Sequence, residues 1–280
     1  MNIAVASGKG GTGKTFLATN LAKVISQQQK IPVCYLDGDV EEPNGHIFLK
    51  PDFKFEQSVS IPVPQVDDQK CTYCGKCSEV CQFNAIIVAK QKVLVFPELC
   101  HGCGSCSYFC PSQAIAEKPR VIGKIQQGYS GKLNCYQGEL NLGEPMPVPV
   151  INDLTGKMDK NNINIFDCPP GTSCSLIAAL SKSDYVILVT ESTPFGLHDL
   201  KLSVEVVKKL ALPCSVVVNR TSGNTDLIDN YCNQENLNIL AKINDDRKIS
   251  QIYARGELVI DYPEYSKIFH NIVEKINLEG

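Results

Sequence analysis

Three features are absent from this 280-residue sequence, and each absence excludes a class of protein. No apolar run reaches about 18 residues, the length that a membrane-spanning helix needs. No charged leader precedes the first apolar residues, so we expect the chain to be cytoplasmic. Basic residues do not exceed acidic ones, since the net charge is −3 and the pI is near 5.9. The sequence therefore predicts no general attraction for nucleic acid or for an anionic membrane.

The composition is that of an ordinary globular protein, apart from its cysteines. Hydrophobic residues make up 43% and charged residues 20% of the chain, which is long enough for one large core or two small ones. Fourteen cysteines are present. In a reducing compartment, cysteines are metal ligands more often than disulfide partners, and eight of these follow a repeated pattern.

The segment Gly8–Thr15, with the sequence GKGGTGKT, has the composition of a phosphate-binding loop. It follows the apolar run Asn2–Ser7 and precedes a helix predicted over Phe16–Gln28. Glycines let the backbone curl so that its N–H groups and a helix N-terminus point at phosphate oxygens. In this pattern Lys14 reaches the β- and γ-phosphates, and the Thr15 hydroxyl ligates Mg²⁺.

The extra lysine at the start of the loop, Lys9, makes the segment resemble the deviant Walker A motif of the MinD, ParA, NifH and Mrp ATPases. The resemblance implies that Lys9 crosses a homodimer interface and contacts the partner's ATP. Phe16 departs from the family, which usually has Ser or Thr there to help hold the α-phosphate. The predicted nucleotide-binding residues of the loop are Gly10, Gly11, Thr12, Gly13, Lys14 and Thr15.

Two strands that end in aspartate supply the other predicted magnesium and catalytic residues. The strand ending at Asp37 leads into an acidic loop that resembles switch I of the same ATPases, where Asp39 orients the attacking water and Asp37 holds a Mg²⁺-bound water. The strand ending at Asp167 precedes Pro-Pro-Gly and resembles Walker B and switch II. The resemblance implies that Asp167 binds a Mg²⁺-bound water and that the Gly171 amide approaches the γ-phosphate.

Two residues near the end of a later strand are predicted to contact the base. The strand over Cys214–Val218 is followed by Asn219 and Arg220. In related ATPases an asparagine at this strand end reads the adenine edge. We therefore expect Asn219 to recognise adenine and Arg220 to lie over its ring.

The repeated cysteine pattern is that of a ferredoxin with two [4Fe-4S] clusters. Each copy has three closely spaced cysteines and a fourth that crosses to the other cluster. This pattern assigns Cys71, Cys74, Cys77 and Cys110 to cluster one, and Cys100, Cys103, Cys106 and Cys81 to cluster two. Zinc is the competing metal, because paired C-x-x-C units also form tetrahedral thiolate sites.

The order of the segments predicts an α/β P-loop NTPase with a mostly parallel sheet flanked by helices. Residues 1–59 and 119–280 are the predicted ATPase domain, and residues 60–118 are a ferredoxin-like module inserted after the second strand. Glycine and proline between Val121 and Pro149 predict extended chain and turns. Ala85–Val88 and Lys92–Phe96 are predicted as two short strands.

Three functions remain open on the sequence. The first is ATP-gated electron transfer to an unidentified redox partner, with ATP, Mg²⁺ and two [4Fe-4S] clusters as cofactors. The second is iron–sulfur cluster assembly or delivery, as in the Mrp ATPases. The third is a positioning or regulatory ATPase whose clusters sense redox state. We favour the first because complete cubane ligation favours stable redox centres.

Overall fold

A computed structural model describes residues 1–276 of the chain. The strands are β1 Asn2–Ala6, β2 Val33–Asp37, β3 Asp52–Val66, β4 Ile86–Ala89, β5 Lys92–Val95, β6 Ile115–Ser130, β7 Leu133–Leu140, β8 Ile163–Asp167, β9 Tyr185–Glu191, β10 Cys214–Thr221 and β11 Asn238–Asn244. The helices are α1 Lys14–Gln28, α2 Gly45–Leu49, α3 Lys76–Val80, α4 Ser105–Tyr108, α5 Val148–Thr155, α6 Cys174–Leu180, α7 Pro194–Lys209, α8 Asp226–Gln234, α9 Arg247–Ala254 and α10 Pro263–Ile276. Residues 277–280 of the predicted ATPase domain lie outside the described residues.

Within the described residues, the main sheet has nine strands in the order β11-β10-β9-β1-β8-β2-β7-β6-β3. The strands from β11 to β7 in this order run parallel, which confirms the predicted α/β class. The central strand β1 is apolar from Ile3 to Ala6, and all four side chains are buried. A parallel strand covered by helices on both faces requires this uniform apolar sequence. Two apolar clusters fill the space between the sheet and the helices.

The region Val121–Pro149 is more regular than the predicted extended chain and turns. Its first part belongs to the long strand β6, and β7 follows after a short turn and pairs antiparallel with β6 and parallel with β2. Glycines in this region mark close backbone approaches, since a Cβ at Gly128 would lie 2.4 Å from the carbonyl oxygen of Asp52. The predicted extended chain is therefore present as two paired strands, and Gly123, Gly128 and Gly138 lie within the strands rather than in turns.

A long two-stranded ribbon carries the cysteine-rich segment. β3 and β6 pair antiparallel from Asp52–Tyr129 to Val66–Ile115. Alternate residues of β3 are buried at Val59, Ile61 and Val63, and its prolines are tolerated because β3 is the edge strand. The predicted domain boundaries at 60 and 118 fall inside these two continuous strands. The two predicted short strands form the separate hairpin β4–β5.

None of the helices in residues 1–276 combines the length and the apolar character that crossing a bilayer demands.

Candidate functional site

The loop between β1 and α1 has the backbone shape of a phosphate cradle. Gly11 and Gly13 have φ angles of +79° and +99°, a left-handed conformation that glycine adopts readily. Gly13 immediately precedes α1, so the free N–H groups of the first helical turn face the loop. Gly8 packs against α7, and a Cβ added at Gly8 would lie 2.4 Å from the carbonyl oxygen of Asp199 in that helix.

Lys14 begins α1 and is almost fully buried under the loop. Its charge acts on the carboxylate of Asp39, which lies in the predicted switch I. Burial raises the pKa of Asp39 to about 6, and the Lys14 ammonium opposes that rise. Lys14 is therefore the main positive charge acting on the predicted catalytic aspartate.

Asp37 and Asp167 are opposite each other at the ends of the neighbouring strands β2 and β8. Both are buried, and burial raises the pKa of each; the charge of Asp167 raises that of Asp37 further. Asp37 Oδ2 accepts hydrogen bonds from the amides of Gly45 at 2.7 Å and Asn44 at 3.1 Å. Tyr35, which the sequence did not indicate, donates its hydroxyl to Asp167 Oδ2 at 3.1 Å.

Among the predicted residues of the nucleotide site, two side-chain oxygens lack a hydrogen-bond partner within residues 1–276. They are Thr12 Oγ1 and Asp167 Oδ1, and both are buried. A buried oxygen without a partner is destabilising, and a bound cation or phosphate-linked water removes that cost. Two adjacent buried carboxylates and the Thr15 hydroxyl form an oxygen-only donor set, which fits Mg²⁺.

A pocket of about 390 Å³, partly open to solvent, extends from this loop toward α9. The predicted site residues that line it are Gly10, Gly11, Gly13, Lys14, Thr15, Asp39, Asn219 and Arg220. The other predicted residues, Lys9, Thr12, Asp37, Asp167 and Gly171, lie outside its lining. Gly171 has a φ of +88° and no atom within 4 Å of its Cβ position, so the backbone of the predicted switch II segment is uncovered there.

Asn219 supports the phosphate loop directly. Its Nδ2 donates to the carbonyl oxygen of Thr12 at 2.8 Å. The side-chain oxygen remains available to accept a hydrogen bond, as reading the adenine amino group requires. Arg220 has a φ of +50° and pairs with Glu191 at 3.2 Å.

One wall of the pocket was not predicted. α9 contributes Ile249, Ser250 and Tyr253, and the Tyr253 ring stacks on Phe48 with centroids 4.5 Å apart. The apolar spacing of Ile249, Ile252 and Tyr253 was the available sequence signal. Phe16 packs edge-on against Tyr253, which explains why a large ring occupies the position that is Ser or Thr in the resembling ATPases.

The match to a protein family decides the class of this site. Residues 3–259 match the model described as the CobQ/CobB/MinD/ParA nucleotide binding domain. The chain belongs to this family. It is an ATP-binding P-loop protein of the MinD/ParA type.

Relatives of this family member occur in Methanocaldococcus jannaschii. An uncharacterised protein of that organism is 34% identical over 99% of this chain and 96% of its own length. A second, described as an uncharacterised ATP-binding protein, is 24% identical over 94% of this chain and 81% of its own length.

Solved structures share the fold of the family member. The septum site-determining protein MinD from Pyrococcus horikoshii, complexed with Mg-ADP, has a TM-score of 0.60 at 19% identity, covering 99% of this chain and 96% of that one. The cell division ATPase MinD from Pyrococcus furiosus has a TM-score of 0.61 at 19% identity, covering 100% of this chain and 99% of that one. At these identities the likeness shows the fold alone.

The cysteines of the segment carried by the ribbon divide into two separate pockets. One is lined by Cys71, Cys74, Cys77 and Cys110, and the other by Cys81, Cys100, Cys103 and Cys106. This is the division that the ferredoxin pattern predicts, with the last cysteine of each repeat in the pocket of the other.

Backbone amides point at cysteine sulfurs in the same way in both repeats. The Sγ atoms of Cys71 and Cys100 each accept from the amide two residues later at 3.4 Å. The Sγ atoms of Cys81 and Cys110 each accept from the amide four residues later at 3.3 Å. Such hydrogen bonds stabilise thiolates and tune a bound metal centre.

The cysteines do not converge on one ion. Over the part of the chain that is described, no group of three or more His, Cys, Asp or Glu side chains is placed to hold a metal ion. The positions of the cysteines therefore show neither a zinc site nor an iron–sulfur site, and the predicted clusters stay a prediction.

Proposed function

We propose that this chain binds and hydrolyses ATP and couples that cycle to electron transfer through two [4Fe-4S] clusters to a partner protein. The observation that carries the proposal is a hydrogen-bonded path from the nucleotide pocket to the ribbon that holds the cysteine pockets. The donor sets at its two ends fit Mg²⁺-nucleotide and iron–sulfur clusters respectively.

At the nucleotide end, the glycine loop and Lys14 hold the phosphates. The Thr15 hydroxyl holds Mg²⁺, and Asp37 and Asp167 orient its bound waters from the buried ends of β2 and β8. Asp39 lines the pocket, where it would orient the attacking water. Asn219 holds the loop at Thr12 and presents its oxygen to adenine.

At the other end, each cysteine pocket holds one cluster. Cys71, Cys74, Cys77 and Cys110, which line one pocket, would bind the first, and the four cysteines that line the other pocket would bind the second. Bound clusters supply one-electron transfer at a potential set by charge, hydrogen bonds and exposure. Cys74 and Cys103 are exposed, so each cluster has an edge that a redox partner can approach.

The connecting path begins at switch I. Val40 follows Asp39, and its carbonyl oxygen accepts a 2.8 Å hydrogen bond from the amide of Leu140 at the end of β7. Leu140 is opposite Gly123 in β6, the strand that leaves the second cysteine repeat. A movement of switch I during the ATP cycle is therefore transmitted to the root of the ribbon.

Lys9 indicates the oligomeric state that the proposed function requires. In the resembling ATPases the corresponding lysine contacts the ATP of a second protomer. Lys9 is partly exposed here and lies outside the pocket of its own chain. We therefore infer that two copies of the chain close face to face on ATP, and that closure moves the ribbons.

Anaerobic isolation followed by metal analysis and EPR tests the proposal. We expect about eight iron atoms per chain and [4Fe-4S] signals after reduction. Mg-ATP should change those signals in the wild-type chain and leave them unchanged in Lys14→Ala, because that variant keeps its cysteines and loses the main phosphate ligand. Zinc in place of iron, or signals that ATP does not alter, would contradict the proposal.

A further inference from the structure

Glu191, the last residue of β9, holds two cations of the nucleotide site. Its Oε2 lies 3.1 Å from Lys9 Nζ, and its Oε1 lies 3.2 Å from Arg220 Nη1. The Glu191 side chain is 17% exposed, against 35% for Lys9 and 56% for Arg220. The carboxylate is thus the least exposed member of a three-charge bridge that ties the phosphate loop to the end of β10.

The three-charge bridge is anchored by the pairing of β9 with β10. Glu191 is opposite Asn219 in the β9–β10 pairing, and Asn219 itself donates to the Thr12 carbonyl oxygen. The ends of β9 and β10 therefore both contact the phosphate loop, through an ion pair to Lys9 and a hydrogen bond to Thr12. The Lys9 backbone is also fixed, since its carbonyl oxygen accepts from Ser7 Oγ at 2.6 Å.

This arrangement turns the Lys9 ammonium toward its own chain. An ammonium bound to Glu191 cannot at the same time reach a phosphate in another protomer. We propose that Glu191 is a positioning residue that holds the Lys9 side chain within its own protomer. The strength of this ion pair then sets how much free energy nucleotide binding must supply to close the dimer. The inference rests on the proposed ATP-closed dimer and deepens it.

Arg220 makes the release of Lys9 feasible. A partly buried carboxylate left without a cation is destabilising. When Lys9 leaves, Glu191 keeps Arg220, so the charge remains compensated. Removing the Glu191 charge should therefore favour closure, whereas removing Arg220 should oppose it by leaving Lys9 as the only counter-ion of Glu191.

The size of the effect follows from the strength of such pairs. Partly exposed ion pairs change an equilibrium by about 1.4- to 5-fold. A symmetric dimer opens one Lys9–Glu191 pair in each protomer, so the effect on the association constant is squared. Glu191→Gln should raise the association constant about 2- to 30-fold.

Sedimentation velocity with a saturating, non-hydrolysable ATP analogue and Mg²⁺ tests this inference. Glu191→Gln should dimerise at lower protein concentration than the wild type, and Arg220→Ala at higher concentration. Glu235→Gln is the matched control, since it breaks the ion pair with Lys208 in the last turn of α7, and it should dimerise as the wild type does. No gain in Glu191→Gln would overturn the inference.

A second comparison separates an effect through Lys9 from a general structural one. In a Lys9→Ala background, Glu191→Gln should give no further gain, because the stored side chain is gone. An equal gain in that background would show that Glu191 acts otherwise. If the wild type and Glu191→Gln both stay monomeric, the proposed dimer and the inference fail together; a wild-type dimer unaffected by Glu191→Gln removes the inference alone.

Discussion

The amide of Leu140 donates a 2.8 Å hydrogen bond to the carbonyl oxygen of Val40, joining the predicted switch I to the strand at the root of the ribbon. Gly138 lies against the same valine, and a Cβ there would be 2.7 Å from Val40 Cγ1. This close approach requires glycine. Switch I and β7 thus form one packed unit beside the nucleotide pocket.

Gly138→Val should uncouple the cysteine segment from the nucleotide. The added side chain pushes Val40 away from β7 and should lower stability by ~1–3 kcal/mol through overpacking. Cysteine ligation is remote from this contact. We expect normal iron content by metal analysis and loss of the ATP-induced EPR change.

The control for this variant is Gly131→Ala at the opposite end of the β6–β7 hairpin. Gly131 has a φ of +61° with open space around it, so alanine should cost about 1–2 kcal/mol without touching switch I. It should keep the ATP-induced EPR change. Loss of that change in both variants would attribute it to lower stability.

Asp167→Asn should make the nucleotide-free protein more stable and should abolish the stabilisation that Mg-ADP gives. Burial raises the pKa of Asp167, so at neutral pH its charge destabilises the folded state without a cation. Neutralising it should raise the free energy of unfolding by ~1–3 kcal/mol without nucleotide. The further stabilisation that Mg-ADP gives the wild type should be lost.

Urea unfolding at pH 7, with and without Mg-ADP, measures both effects. Asp68→Asn, a change at an exposed carboxylate, should alter neither. If the nucleotide-free Asp167→Asn protein were less stable than the wild type, the Asp167 charge would not be destabilising without a cation, and our interpretation of this residue would be wrong.

Asn219→Ala should weaken nucleotide binding through the loop as well as through the base. It removes the 2.8 Å hydrogen bond to the Thr12 carbonyl oxygen, which leaves a buried acceptor unpaired. A loss of ~1–2 kcal/mol corresponds to about 5- to 30-fold weaker binding. Titration with a fluorescent ATP analogue measures it, with the exposed Asn224→Ala as control. Equal dissociation constants for all three proteins would remove Asn219 from the site.

From the sequence we could predict those features that are formed by residues close together in the chain. The phosphate loop is contiguous, and the cysteine repeats have fixed spacing, so Lys14 and the division of Cys81 and Cys110 between the two pockets were predictable. Contacts between distant segments were not. The Lys9–Glu191 pair joins residues far apart in sequence, and no local pattern indicates it.

The ribbon was missed for a different physical reason. Glycines at 123, 128 and 138 allow other backbone or side-chain atoms to approach closely, but in sequence they are typical of turns. The α9 wall of the pocket was missed because the apolar spacing of α9 indicates a helix but does not indicate what that helix packs against. Both omissions concern packing partners that a single chain segment does not reveal.

Cys110→Ser should damage the cluster of the first repeat and leave that of its own repeat intact. Cys110 lines the pocket with Cys71, Cys74 and Cys77. EPR of the reduced protein should then resemble that of Cys74→Ser and differ from that of Cys103→Ser. The half-buried Cys214 lies outside both pockets, and Cys214→Ser should retain both clusters. A Cys110→Ser spectrum matching Cys103→Ser would reverse the assignment.

The central claim is that the nucleotide cycle gates electron transfer. The most direct measurement is the stopped-flow oxidation rate of the reduced protein by cytochrome c, used as an artificial acceptor, with and without Mg-ATP. Lys14→Ala is the control for binding. The account predicts a faster rate with ATP in the wild type and no change in Lys14→Ala. Identical wild-type rates with and without ATP would contradict it.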